Sequence, residues 1–253
     1  MRQARKPNWG RVIASLRRGV AAGNTRAMTE LAITINDGIR DAKGRILVRA
    51  NAPYAFRLLR RAVESGDENA AGSLGHAYDV GQGTKRNVAQ AIRWYRRAAR
   101  SGDSTATFNL ATVYRDAGRA RLAFQWWRRA ADMRDGDAAV DVGYCYQYGI
   151  GTRKNTATAK RIFRRAIASK DISQYGRETA MYNPALQFVD EGKPDLALPL
   201  LKRAIADDDY PEAASVLNQL NANSDYVPCR CRRLINKKLR GHANCSLHAR
   251  QTT

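Results

Sequence analysis

Apolar residues recur along this chain in two alternating helical patterns. In one, a pair of alanines seven residues apart encloses two larger apolar residues: Ala55, Leu58, Leu59 and Ala62; Ala91, Trp94, Tyr95 and Ala98; Ala123, Trp126, Trp127 and Ala130; Ala159, Ile162, Phe163 and Ala166; Ala197, Leu200, Leu201 and Ala204. Offsets of 0, 3, 4 and 7 lie on one face of a helix, so each copy predicts an amphipathic helix, called B here. In the other pattern Ala27, Ala70, Ala106, Ala138 and Ala180 are followed four residues later by Leu31, Leu74, Leu110, Val142 and Pro184. A small residue comes next (Ala32, Gly75, Ala111, Gly143, Ala185), and three further on stand Ile35, Tyr78, Tyr114, Tyr146 and Phe188. That spacing is also helical, and the small residue lets a neighbouring helix approach closely. These are the A helices.

A dibasic pair inside each B helix fixes the period. Arg60 and Arg61, Arg96 and Arg97, Arg128 and Arg129, Arg164 and Arg165, and Lys202 and Arg203 follow one another at intervals of 36, 32, 36 and 38 residues. Repeats therefore occupy about 23–65, 66–101, 102–135, 136–172 and 173–209. A single hairpin of this size cannot cover its own apolar face, so neighbours must stack. The expected fold is all-α, an α-solenoid of about five antiparallel helix hairpins with capping half-repeats. Residues 1–22 read as a basic N-terminus carrying a lone B-type helix, and 210–223 as a closing A-type helix starting at Pro211. Residues 224–253 form a separate tail. Copy one carries a seven-residue insertion around "IRDAKGRILVRA", a candidate protruding loop. Copy five has Pro184 and Pro199 within its helices, which predicts a bend or a shortened helix there.

Between A and B, two copies share GxGTxxN: Gly81, Gly83, Thr84 and Asn87, then Gly149, Gly151, Thr152 and Asn155. Glycine can end helix A, and Thr or Asn can cap helix B. A phosphate-cradling loop is the sharper alternative, but the Walker spacing is missing and no strand precedes either segment. The capping role is the better reading.

The combined pattern AxxxLGxxYxxGxGTxxNxxxAxxWYRRAAxSGD, from Ala70 to Asp103, resembles the Sel-one-like repeat, a helical-hairpin relative of the tetratricopeptide repeat. The resemblance covers residues 23 to about 209 and departs most in copy five. It implies a solenoid that serves as a scaffold in protein complexes, signalling, quality control or bacterial host interaction. It also implies a concave face formed by A-helix positions beside the buried leucine: Ser73, His76, Phe108, Asn109, Asp141, Tyr144, Tyr182 and Asn183. By analogy with peptide-clamping tetratricopeptide proteins, Asn109 and Asn183 would hold a ligand backbone. The alternative is that all of these are exposed helix polars, with His76 a solvated groove residue.

Charge adds a second candidate surface. Lys and Arg number 44 against 23 Asp and Glu, a formal net charge of +21. Such an excess favours acidic partners, whether nucleic acid, an anionic membrane surface or an acidic protein. The dibasic positions lie opposite the apolar arc of helix B and point to solvent. In stacked hairpins they would recur about every 10 Å, beyond the Debye length of about 8 Å at physiological salt. Two readings remain open. Basic residues near a helix C-terminus complement its dipole, while Asp67, Asp103, Asp137 and Asp171 sit where the next A helix starts. Alternatively Arg60, Arg61, Arg96, Arg97, Arg128, Arg129, Arg164 and Arg165 form an anion-binding ridge, whose nucleic-acid affinity would fall steeply with salt.

From Tyr226 on, the chain contains seven Lys or Arg in "YVPCRCRRLINKKLRGHANCSLHARQTT" and no acid. Cys229 and Cys231, with His242, Cys245 and His248, supply enough ligands for one tetrahedral zinc; disulfide pairing or unpaired thiols are the alternatives. No other cofactor is expected. The sequence offers three histidines, no nucleophile motif and no nucleotide loop, so no enzyme is expected. No apolar run is long enough to span a bilayer and the N-terminus lacks a secretory core, which favours the cytoplasm; its Arg-rich composition leaves a mitochondrial destination open if the source is eukaryotic. The expected function is a non-catalytic protein-interaction adaptor. The alternatives are a basic solenoid that binds nucleic acid through the ridge and tail, and a regulator or inhibitor of a specific enzyme or toxin.

Overall fold

The computed structural model describes residues 7–205 and 210–222. Along them run α1 (Trp9–Ala21), α2 (Thr25–Asn36), β1 (Ile39–Arg40), β2 (Ile46–Val48), α3 (Ala52–Glu64), α4 (Ala70–Val80), α5 (Val88–Arg100), α6 (Ser104–Asp116), α7 (Ala120–Asp132), α8 (Gly136–Tyr148), α9 (Thr156–Ala168), α10 (Gln174–Asp190), α11 (Pro194–Ala204) and α12 (Pro211–Ala222). A helices are thus α2, α4, α6, α8 and α10, and B helices α3, α5, α7, α9 and α11. The lone helices α1 and α12 stand at the two ends of the described array.

Two compact units divide the chain between Tyr114 and Arg115. In the first, α2 packs on α3 and α4 on α5, with α1 against α2 and α3 against α4. In the second, α8 packs on α9 and α10 on α11, while α7 meets α8, α9 meets α10, and α12 lies on α11. The fold is a TPR-like stack of helix hairpins, all-α apart from the small β1–β2 ladder.

Local chemistry explains where each helix begins and ends. Asn8, Asn24, Asn51, Asn87 and Asn155 each accept, through Oδ1, the backbone N–H three residues on, at 2.9–3.2 Å. These bonds satisfy donors that the first helical turn leaves orphaned. At the other end Gly81 and Gly149 close α4 and α8 in the left-handed conformation, with φ of 76° and 75°. The second glycine of GxGT has a different task. A Cβ on Gly83 or Gly151 would collide with the carbonyl oxygen of Ala52 or Ala120. Each GxGT loop therefore lies on the first turn of the preceding B helix, α3 in the first unit and α7 in the second.

Aspartates at the B-to-A junction link successive repeats. Asp67 accepts from the Thr29 hydroxyl of the previous A helix at 2.6 Å. The Asp103 carboxylate lies over Gly72 and accepts from Ala106 N at 2.8 Å. Asp135, not Asp137, holds this place in repeat four, accepting from Ala138 N at 2.9 Å as the N-cap of α8. Asp137 instead sits in the first turn and accepts from the backbone and hydroxyl of Ser173, at 3.0 and 2.9 Å. Asp171 does not cap either: its carbonyl accepts from Gly136 N at 2.9 Å, and Ser173 caps α10.

Copy five departs in two opposite ways. Helix α11, with Pro199 inside, has 11 residues where α3, α5, α7 and α9 have 13. Helix α10 instead lengthens to 17 residues and continues through Pro184, which is buried. The insertion of copy one folds as the antiparallel pair β1–β2, with Ile39 opposite Val48 and Arg40 opposite Ile46. Asp41 organises its turn, accepting from the backbone of Lys43 and Arg45 at 2.9 Å and from Arg45 Nε at 2.6 Å. The Arg45 side chain holds the Asp41 carboxyl below the usual carboxylate range.

Candidate partner-binding faces

In the first unit, Ser73 and His76 on α4 and Phe108 and Asn109 on α6 are all half-buried. His76 and Tyr95 are both electrostatic neighbours of Asp79, and the Tyr95 hydroxyl faces Asn109 without meeting hydrogen-bond geometry. The imidazole Nε2 of His76 and the hydroxyl of Tyr95 are buried with no hydrogen-bond partner among the described residues. Burial pushes the His76 pKa down, against the opposing charges of Asp79 and Asp37, which keeps the ring neutral near pH 7. Burial likewise raises the Tyr95 phenol. Gly75 makes room for this tyrosine: a Cβ there would lie 2.7 Å from the Tyr95 ring.

In the second unit, Asp141, Tyr144 and Tyr148 form one half-exposed stripe of α8, at i, i+3 and i+7. The rings of Tyr144 and Tyr148 are 4.6 Å apart, and that of Tyr182 on α10 lies 5.2 Å from Tyr210. Desolvation pushes the Asp141 carboxyl up to about 7; the neighbouring Arg115 opposes the rise and Asp135 adds to it. Burial raises the Tyr144 and Tyr148 phenols too. Cys145 is buried and its thiol is pushed up to about 12, so it is a core residue with little thiolate character.

Asn183 does not belong to this face. It is only 4% exposed, its Nδ2 donates to Thr179 O at 2.9 Å, and its own carbonyl accepts from Gln147 Nε2 at 3.0 Å. The residue is spent on joining α10 to α8, which corrects its expected role as a ligand clamp. Asn109 stays half-exposed. Sequence reasoning overlooked Tyr148, Tyr210 and Arg115. The i, i+3, i+7 spacing of Asp141, Tyr144 and Tyr148 was the available signal; Tyr210 had none, because it precedes α12 outside any repeat.

The dibasic positions behave unevenly. Arg60, Arg61, Arg96, Arg128, Arg129, Arg164 and Arg165 are exposed and Arg97 is half-buried. Arg97 donates to both oxygens of Glu68, with Nε 2.8 Å from Oε2, and lies over the Trp94 ring. Those hydrogen bonds hold the Glu68 carboxyl below its ordinary range. Arg96 Nη2 donates to the Tyr114 hydroxyl at 2.6 Å, Arg129 lies 5.3 Å from the Trp126 ring centre, and Arg60 is 3.5 Å from Glu64. Arg61, Arg97, Arg129 and Arg165 also occupy the last turns of their helices, where the dipole favours a cation. Part of the ridge is therefore structural. Cys229, Cys231, His242, Cys245 and His248 lie outside the described residues.

Paired helices stacking in register define a helical-repeat protein of the TPR-like class. The chain belongs to the Sel1 repeat family, whose profile matches residues 26–67, 69–103, 105–135 and 136–171. The fifth hairpin, α10 with α11, lies beyond the matched residues. Among solved structures, the chain is similar to a protective antigen of uropathogenic Escherichia coli with an SLR fold, at 21% identity and a TM-score of 0.68. That match covers 84% of this chain and 44% of the antigen, so the chain spans under half the length of that relative. It is also similar to a Sel1 repeat protein from Oxalobacter formigenes, at 24% identity and a TM-score of 0.63, over 79% of this chain and 80% of the other. YrrB, a TPR protein with an unusual peptide-binding site, matches at 17% identity and a TM-score of 0.51, over 79% of this chain and 96% of its own. These likenesses concern the fold. Among curated proteins no sequence matches significantly. No described helix is long and apolar enough to cross a membrane.

Proposed function

We propose that the protein is a non-catalytic scaffold that holds a protein partner against its A-helix side chains. The observation that carries this reading is a set of buried polar groups on the A-helix positions that the described chain leaves unsatisfied. They include His76 Nε2 on α4 in the first unit, and Gln147 Oε1 on α8 and Gln187 Oε1 on α10 in the second. A buried donor or acceptor without a partner costs about 1–3 kcal/mol, a cost that a docked segment or ordered water removes. Sel1 and TPR-like folds commonly serve protein–protein interaction, and the peptide-binding site named for YrrB supports the same use by analogy of fold. The formal charge of +21 favours encounter with an acidic partner. An enzyme or toxin held in check by this chain would be one such partner.

Exposed Arg128, Arg164 and Arg165 favour nucleic acid as the second reading. Gentle purification followed by nuclease treatment separates the two. A protein scaffold keeps its partner after nuclease and loses it on substitution of Asn109 and Tyr144 by alanine. A nucleic-acid binder loses its associated material to nuclease, and charge reversal at Arg128 and Arg164 abolishes binding. Zinc in the tail, at Cys229, Cys231, His242, Cys245 and His248, is a separate proposal, tested by metal analysis of the purified protein.

A further inference from the structure

We infer that the α8 face of the second unit anchors one lysine or arginine side chain of the bound partner, between the rings of Tyr144 and Tyr148 and the carboxylate of Asp141. The inference rests on the scaffold reading above and gives that scaffold a chemical preference.

Three observations converge on a cation. First, Asp141 accepts no hydrogen bond among the described residues. The neighbouring cation, Arg115, donates its Nε to Asp116 Oδ1 at 2.9 Å rather than to Asp141, and its guanidinium sits 5.9 Å from the Trp127 ring centre. A desolvated carboxylate with no donor gains most from a ligand that brings a charge and N–H groups together. Second, no cation of the described chain lies over the neighbouring rings. Elsewhere the chain covers its aromatics with its own cations: Arg57 over Tyr54 at 5.6 Å, Arg129 over Trp126 at 5.3 Å and Lys160 over Phe188 at 4.5 Å. Among the described residues Tyr144 and Tyr148 carry no such cation, although ring faces attract one within about 6 Å. Third, the electrostatic neighbours around this stripe are mostly acidic. Asp135 acts on Asp141 and Asp190 acts on Tyr148, with Arg115 the opposing charge. An acidic anchor would meet repulsion here.

Breadth of the surface fits a side chain set in an extended segment. From Tyr148 the aromatic surface continues to half-buried Tyr182 on α10, which rests at 5.2 Å on the buried ring of Tyr210. The overall positive charge selects against strongly basic partners, so a single anchoring cation in an otherwise neutral or acidic segment suits the site best. Binding a cation favours the ionised Asp141, which desolvation and Asp135 disfavour against the opposing charge of Arg115. Affinity should therefore rise with pH through neutrality.

The test is a random 12-residue peptide display selection on the full chain, followed by titration of the selected synthetic peptides. The expected peptides carry a Lys or Arg whose replacement by glutamine weakens binding tenfold or more. Asp141→Asn, which keeps the side-chain shape, should lose the same factor, and Tyr144→Leu a similar one. Wild-type affinity should climb by about tenfold at most between pH 6 and 8, as a carboxyl titrating near neutrality would require, and the Asp141→Asn variant should stay flat. Selected peptides without a cation, or peptides indifferent to Asp141→Asn and Tyr144→Leu, overturn the anchor. If such peptides still lose affinity on Tyr182→Ala or Asn109→Ala, the scaffold reading stands without it. If the folded chain selects no peptide at all, both fall.

Discussion

The ring of Tyr95 fills the space in which Gly75 would carry a Cβ, its nearest atom 2.7 Å from that position. Phe163 stands in the same relation to Gly143, also at 2.7 Å. Where the corresponding B-helix residue is leucine, at Leu59 and Leu201, the A-helix residue is alanine, at Ala32 and Ala185. In copies one, two, four and five volume is thus traded between the two helices of a hairpin, as close packing demands; copy three, with Ala111 and Trp127 in these places, departs from the rule. Gly75→Ala should destabilise the protein by about 1–3 kcal/mol through overpacking. Adding Tyr95→Leu should recover part of that loss, a coupling that denaturant unfolding of the four combinations would measure.

Gly83 and Gly102 both have positive φ, 71° and 89°, but only Gly83 faces another segment's backbone. Alanine at Gly102 should cost about 1–2 kcal/mol, the left-handed penalty alone. At Gly83 the Cβ also meets the Ala52 carbonyl, so the loop must leave α3 and the loss should be larger. Thermal melts of the two variants, measured side by side, test the difference.

Loss of the asparagine caps should be modest and local. Asn87→Ala and Asn155→Ala each remove one bond to an otherwise orphaned N–H, worth about 1 kcal/mol. Asn87→Asp should be nearly neutral because aspartate caps equally well. Hydrogen exchange in the first turns of α5 and α9 would report the fraying directly.

Asp141 makes stability depend on pH. Desolvation pushes its carboxyl up to about 7 in the folded chain, from an ordinary value of 3.8. Between these values the native state holds more protons than the unfolded state, so stability falls as pH rises from about 4 to 7 and then levels off. At about 1.4 kcal/mol per unit the cost approaches 4 kcal/mol, reduced because the residue keeps part of its surface in water. Asp141→Asn should flatten this slope and stabilise the protein at pH 8. A variant that keeps the wild-type slope would show that another group carries it.

Helix positions were legible in the sequence because periodicity and capping are local. Ala55, Ala62, Ala91 and Ala98 mark B-helix faces that are fully buried, and Asn87 and Asn155 cap where the GxGTxxN spacing put them. What escaped depends on contacts between repeats. Asp137 and Asp135 are two residues apart and both acidic, and only the backbone path decides which one caps α8. Asn183 looked equivalent to Asn109, yet α10 begins early and Gln147 reaches across from α8 to its carbonyl, so the residue turns inward. The acid–tyrosine stripe was partly visible in Asp141 and Tyr144. The lack of a hydrogen bond to that acid among the described residues was not, because it depends on Arg115 turning its Nε to Asp116 and its guanidinium to Trp127.

Photo-crosslinking from a single benzoylphenylalanine, placed in turn at Tyr144 and at Arg164, tests the central claim most directly. Tyr144 lies on the A-helix face and Arg164 on the exposed side of a B helix in the same unit. Abundant crosslinks to a protein partner from position 144, with few from 164, are the predicted result. Crosslinks confined to position 164, or to nucleic acid, would contradict it.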